Sequence, residues 1–312
     1  MSLLQRTAVV LGLMAGLAAG PAATALDAAM TSATSPLGRY DTYAAFPSQR
    51  VSERTVTVFL PTGPVPTDGY SVLYMHDGRN VFNPATAMGG EPWAADRAVV
   101  EGHHALIVVA IDNTPLRWAE YMPMPVYQTL SADLAEAARG QEHAPLSNEY
   151  VDFIALELKP FIDSHYPTRK DAQHTFVAGS SMGGLISIYA LERRPETFSR
   201  AAGLSTHWPA TTQFALFGRG PESADPRLEK IANHTVDHLA MGLPDPATHR
   251  LWVDYGTETL DVFYEPYALR FRDAAKDAGF GDSLVVRRFA GTAHNEASWR
   301  QRFPEVLRFL MN

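Results

Sequence analysis

The chain has 312 residues, 46% hydrophobic and 19% charged, with a formal net charge of −8 and no cysteine. Such a composition belongs to a globular chain with room for one large core. It excludes a disulfide scaffold, a thiol nucleophile and a lipidated cysteine anchor, and without a basic run it excludes a nucleic-acid partner, whose phosphates demand a Lys/Arg face.

At the N-terminus Arg6 precedes the apolar run Ala8 to Ala19, and Ala23-Thr24-Ala25 offers the small residues of a cleavage site. Residues 1–25 therefore read as a secretory signal peptide cut after Ala25, the run being too short and glycine-rich for a membrane span. No second long apolar run follows, so a periplasmic or secreted protein without stable membrane insertion is expected. Residues 26–44 are rich in Ala, Ser and Thr and read as a mobile leader, with the folded domain over 45–312.

Arg54 to Leu60 (RTVTVFL) alternates like a half-buried strand, and Tyr70 to Met75 (YSVLYM) is a continuous apolar one that runs into His76-Asp77-Gly78-Arg79. His76 and Asp77 read as turn-fixing groups. Trp93 to Glu101 suits a helix, and His104 to Ile111 (HALIVVAI) is the most apolar strand of the chain. The loop after it, Asp112 to Pro125, is dense in Trp, Tyr and Met and leaves a strand end, where open α/β sheets bind ligands. Arg117 and Tyr121 are therefore candidate substrate contacts, and Arg117 with Glu120, three residues on, is a candidate ion pair. Ser147 caps a helix with Tyr150, Ile154, Leu158, Phe161 and Ile162 on one face, which Pro160 should kink or shorten.

The stretch His174 to Arg194 (HTFVAGSSMGGLISIYALERR) reads as strand, glycine turn and helix. Its turn has the form G-x-S-x-G, with Gly179, Ser181 and Gly183 in frame and Ser180 out of it. A serine on so sharp a corner brings the backbone two residues either side too close for side chains, which explains the glycines. Ser181 is the candidate nucleophile, and the Met182 N–H, at the start of the helix, is a candidate oxyanion donor.

Arg200 to Leu204 is another short strand, ending in Ser205-Thr206-His207-Trp208, so His207 and Trp208 are candidate substrate contacts. Residues 209–248, broken by Pro and Gly with a helix near Leu228 to Met241, read as an inserted cap. His234 and His238 have the i, i+4 spacing of zinc ligands, but no acidic metalloprotease motif accompanies them. They read as a solvated helix face, and no metal or other cofactor is called for.

Arg250 to Tyr255 is a strand, and Gly256 to Asp261 the loop beyond it. A carboxylate that steadies a catalytic histidine belongs here, between serine and histidine in chain order. Asp254 lies inside the strand and ranks last; Asp261, where the loop turns into the helix Val262 to Ala278, ranks first, with Glu258 the alternative acid. Ser283 to Phe289 is the final strand, and His294 follows it in the loop before the last helix. Serine, acid and histidine thus come in order, each beyond a strand end.

With LYMHDGRNVF at 73–82, ELKPFIDSHYP at 157–167, VAGSSMGG at 177–184, DYGTETLD at 254–261 and GTAHNEASWRQRFPEVLRFL at 291–310, the chain resembles the putative-esterase family of the α/β-hydrolases. That family includes enterochelin esterases, esterase D, feruloyl and acetylxylan esterases and mycolyltransferases. The resemblance implies a doubly wound, mostly parallel sheet with an inserted cap, and a serine hydrolase in which Ser181 and His294 match the nucleophile and base. It places the second oxyanion donor in the loop after the first parallel strand, at Gly78 or Arg79. Many relatives carry the acid three residues after the loop glycine, where Thr259 stands here, so Asp261 and Glu258 both stay open. The activity implied is hydrolysis of a carboxylic ester, either a siderophore ester or an acylated polysaccharide or phenolic ester. The same triad serves acyl transfer in the mycolyltransferases, while a non-catalytic binding protein on this fold would be expected to have lost Ser181 or His294. An anionic catecholate triester calls for a basic pocket, for which Arg79 and Arg117 are the available cations.

Overall fold

In the computed structural model, which describes residues 30–139 and 143–312, one nine-stranded sheet runs through the molecule. Its strands are β1 (Thr31–Thr34), β2 (Gly38–Phe46), β3 (Arg54–Pro61), β4 (Ser71–His76), β5 (Leu106–Ile111), β6 (Thr175–Ser180), β7 (Arg200–Leu204), β8 (Arg250–Tyr255) and β9 (Leu284–Arg288). The spatial order is β1-β2-β3-β5-β4-β6-β7-β8-β9. β1, β2 and β3 join antiparallel, and every pairing from β5 onward is parallel. β4, β5 and β6 are buried at every position, as strands covered on both faces must be, which is why they read as unbroken apolar runs.

Among the described residues, the helices laid against the sheet are α1 (Ala95–Glu101), α2 (Ser147–Phe153), α3 (Lys159–His165), α4 (Met182–Arg193), α5 (Pro226–Met241), α6 (Glu265–Asp277) and α7 (Glu296–Met311). α2 through α6 pack on one face, where Val72, Tyr74, Val177 and Val253 point; α1 and α7 pack on the other, against Leu73, Met75, Phe176 and Trp252. α7 does so with Trp299, Phe303, Val306, Leu307 and Leu310, an i, i+4, i+7, i+8, i+11 stripe. Each such side chain, fully buried, contributes roughly 1.5–3 kcal/mol before its ordering entropy is subtracted.

Three expectations change. The signal peptide, residues 1–25, lies outside the described residues, but the leader expected up to residue 44 does not remain loose. From Thr31 it forms β1 and β2, and Tyr43 and Phe46 insert into the core. The low hydrophobicity of the segment hid a half-buried edge hairpin that needs few apolar residues. Pro160 does not end the helical run: a π turn at Ile154–Leu158 joins α2 to α3, and Pro160 is the second residue of α3, within the first turn where its missing amide is tolerated. Finally, the segment 209–248 divides in two. α5 is the crossover between the parallel strands β7 and β8 and packs beside α6, with Arg270 and Asp237 bridged at 2.7 Å. Only the loop before it approaches the strand ends. No helix among the described residues is long and apolar enough to cross a membrane.

Candidate active site

The loops after β4, β5, β6, β7, β8 and β9 meet beyond the carboxyl ends of the parallel strands, around a cavity of about 310 Å³. Ser181 and His294 both line it. Ser181 sits between β6 and α4 at φ 58°, ψ −124°, a conformation that L-residues rarely hold and that costs on the order of 1–3 kcal/mol. The corner is tight: a Cβ on Gly179 would lie 2.7 Å from the Gly183 carbonyl carbon. Met182 opens α4, so its amide is among those without an intrahelical acceptor.

His294 follows β9, its main-chain N–H bonded to Thr259 Oγ1 at 2.8 Å. Its ring lies edge-on to Trp299 and Tyr264, at centroid distances of 5.1 and 5.7 Å. Nδ1–H donates to Asp261 Oδ1 at 2.6 Å, which leaves Nε2 as the basic nitrogen. Of the rival carboxylates, Glu258 is exposed and makes no side-chain bond to His294 among the described residues, whereas Asp261 is fully buried in the short helical turn Thr259–Phe263. Burial alone would raise the Asp261 carboxyl. The His294 hydrogen bond and charge, with hydrogen bonds from Ser205 and Gly256, outweigh it and hold the group below the ordinary aspartate range.

Behind Asp261 stands a group that no sequence pattern announced. Ser205, buried at the end of β7 with φ 45°, donates its Oγ–H to Asp261 Oδ2 at 2.6 Å. Ser205 Oγ in turn accepts from Arg302 Nη2 at 2.6 Å and from Trp299 Nε1 at 3.0 Å, both on α7. Arg302 also lies 3.3 Å from Asp254 and 4.0 Å from Asp261, over the Phe289 ring. Asp254 accepts from the Ser205 N–H and from Trp252 Nε1 at 3.0 and 2.9 Å. Burial pushes Asp254 up to about 6 in spite of these partners. Position beyond a strand end was the only available signal for Ser205, and nothing local marked Arg302.

The other expected contacts separate. Arg117 lines the cavity, but its guanidinium grips Asp77 with two hydrogen bonds of 2.7 Å. Burial would raise Asp77; Arg117 and Asn113 pull it below the usual range. The expected Arg117–Glu120 pair does not form, because Glu120 is buried against Arg54 at 2.6 Å. Tyr121 lies beneath the site with its hydroxyl accepting from the Asp77 N–H at 3.3 Å, and its ring is fully buried. His207 reaches the cavity with both nitrogens engaged: Nε2–H donates to the Thr211 carbonyl at 2.7 Å and Nδ1 accepts from Tyr264 at 2.5 Å. Burial lowers it to about 3, so it stays neutral. Trp208, expected at the cleft, is wholly buried against Phe271.

A Cβ on Gly78 would meet the Ile111 backbone at 2.7 Å, so packing against β5 by itself requires a glycine there. Arg79 is half-exposed and lies 3.8 Å from Asp112. Gly78 and Arg79 do open a single 3₁₀ turn, Gly78–Asn80, whose first amides have no intrahelical acceptor. Far from the cavity, His234 bonds to Thr129 at 2.8 Å and His238 approaches Glu192 at 3.7 Å. No group of three or more His, Asp or Glu among the described residues is placed to hold a metal.

Comparison with known proteins supplies a family. The model of the family described as "Putative esterase" matches residues 49–310. Ferri-bacillibactin esterase BesA of Bacillus subtilis is 29% identical over 170 residues, 52% of this chain and 57% of the relative. The uncharacterized protein YbbA of the same bacterium is 23% identical over 161 residues, 51% of this chain and 59% of the relative. The chain thus spans less than two thirds of either. Among solved structures, the fluorophosphonate-binding serine hydrolase FphF of Staphylococcus aureus is 18% identical with a TM-score of 0.57, covering 88% of this chain and 99% of that one. A ferulic acid esterase is 23% identical with a TM-score of 0.57, covering 87% and 96%. An S-formylglutathione hydrolase of Agrobacterium tumefaciens is 17% identical with a TM-score of 0.58, covering 90% and 97%. At these identities the structures speak for the fold. The strand order, the serine corner after β6 and the family match over nearly all of the described residues make this chain a member of the esterase family of α/β-hydrolases.

Proposed function

We propose that the protein is an exported serine esterase that hydrolyses a carboxylic ester through Ser181, His294 and Asp261. The observation that carries this reading is the 2.6 Å bond from His294 to buried Asp261, on a histidine that shares its cavity with a serine on a strained corner. In the reaction His294 Nε2 takes the Ser181 proton as Oγ attacks the acyl carbonyl, and Asp261 holds the tautomer and faces the imidazolium. The Met182 N–H, with Gly78 or Arg79 as the second donor, receives the oxyanion. His294 then protonates the departing alcohol, and water attacks the acyl-enzyme with the same base. The relatives named for siderophore and ferulate esters support an ester of that general kind as substrate.

The test is hydrolysis of p-nitrophenyl acetate, butyrate and octanoate, a ferulate ester and a catecholate triester, beside labelling with a fluorophosphonate. Ser181→Ala is expected to lose at least ~10⁴-fold in kcat and all labelling. A wild type that neither turns over nor labels would remove the reading. Export is checked separately, by the N-terminal sequence of the protein recovered outside the cytoplasm.

A further inference from the structure

The charges on the cavity wall do not match an anionic substrate. Arg117 is spent on Asp77, and His207 is neutral. The remaining acidic side chain is Glu296, on the first turn of α7, two residues after His294; burial raises its carboxyl above the ordinary glutamate range. Its residue is only 7% exposed, yet it lines the cavity. Glu296 Oε1 accepts from Asn80 Nδ2 at 3.1 Å, and Asn80 cannot turn away, because its Oδ1 accepts from the Met88 N–H at 3.0 Å. Among the described residues no cation forms an ion pair with Glu296. Arg117, the arginine whose charge favours an ionised Glu296, is bound to Asp77 at 2.7 Å. A carboxylate held in this way, with no ion-pair partner and open to the cavity, repels a negative group and accepts a hydrogen bond from a donor.

We propose that Glu296, oriented by Asn80, is a specificity-determining residue that selects uncharged esters bearing a hydroxyl donor next to the scissile bond and rejects those bearing a carboxylate or another anion there. The inference rests on the serine-esterase reading and narrows it: a polyanionic ester, such as a catecholate triester, is a poor fit to this wall. Glu296 lies on the site's own helix beside the base, so the discrimination acts on whichever half of the ester runs along α7.

Two matched pairs test it. p-Nitrophenyl valerate and p-nitrophenyl hydrogen glutarate differ in charge on the acyl half; monobutyrin and the butyryl ester of glycolate differ on the alcohol half. In at least one pair the wild type is expected to favour the uncharged ester by ~30-fold or more in kcat/KM, since like charges at a desolvated contact are strongly disfavoured. Glu296→Gln, which can still accept from Asn80, should shrink that ratio by about tenfold, while Glu296→Asp, which keeps the charge, should retain most of it. Ratios under about threefold in both pairs for the wild type, or a ratio unchanged by Glu296→Gln, would overturn the proposal. If the wild type hydrolyses nothing and Ser181 resists fluorophosphonate, the esterase reading fails. The wall charge is then judged by calorimetric binding of the valerate and glutarate esters to the Ser181→Ala protein, where equal affinity counts against it and tighter valerate binding supports it.

Discussion

At the scale of single residues, the choice between Asp261 and Glu258 was set by direction. Both lie in one short loop, but the turn Thr259–Phe263 folds Asp261 inward onto His294 and leaves Glu258 in solvent. Asp261→Asn is therefore expected to lower kcat by ~10³–10⁴-fold, since the imidazole would lose its tautomer anchor, while Glu258→Gln stays within about twofold. Steady-state kinetics of the two variants decide it. Arg302 offers a second test. It is the arginine that lies within 4.0 Å of both Asp254 and Asp261, and removing one member of a buried ionic group costs about 3–5 kcal/mol. The pH sign follows from Asp254, whose folded value of about 6 stands above its ordinary 3.8. A group raised on folding adds its stability below the unfolded pKa and loses it as pH rises through the folded one. Without Arg302 the folded value should climb further. The melting temperature of Arg302→Met should thus fall short of the wild type by more at pH 8 than at pH 5. A deficit that is equal at both pH values would show that Arg302 does not hold the carboxylates.

At the scale of elements, α7 does more than close the sheet. Its N-cap, Asn295, accepts from the Ser298 N–H at 2.9 Å, and the neighbouring His294 and Glu296 inherit their positions from that start. Asn295→Ala is expected to cost about 1 kcal/mol in urea denaturation. What was legible in the sequence follows the same division. Ser181 and His294 were legible because a local pattern and a strand end mark each of them. Five strands, β4 to β8, were legible because burial on both faces writes itself as apolar runs. Asp254 was set aside as locked within its strand, and it is indeed turned to the network behind Asp261, not to His294. The Ser205–Arg302 contact joins residues 97 apart in sequence, with no periodicity to link them, so only folding reveals it. Trp208 and Tyr121 were misplaced for a general reason: an aromatic beyond a strand end looks the same in sequence whether it faces a ligand or plugs the core. Arg117 was paired with Glu120 because the two stand three residues apart in one loop, but both side chains found partners from other elements.

At the scale of the whole molecule, the site is assembled from six loops, and its last parts come from the last helix of the sheet's cover. The proposed nucleophile, acid and base arise at residues 181, 261 and 294, yet the hydrogen bonds that steady Asp261 through Ser205 come from Trp299 and Arg302. This imposes an order in time. A chain made from its N-terminus can complete β6 and display Ser181 long before α7 exists, so the enzyme is expected to stay silent until α7 folds. Ribosome-arrested chains of increasing length, probed with a fluorophosphonate, are expected to stay unreactive until α7 has cleared the tunnel; earlier reactivity would show that the serine matures alone. If export also precedes folding, the same order keeps an ester-cleaving activity out of the compartment in which the chain is made. The position of one helix in the chain would then serve as a delay, set by the geometry of a hydrogen-bonded serine.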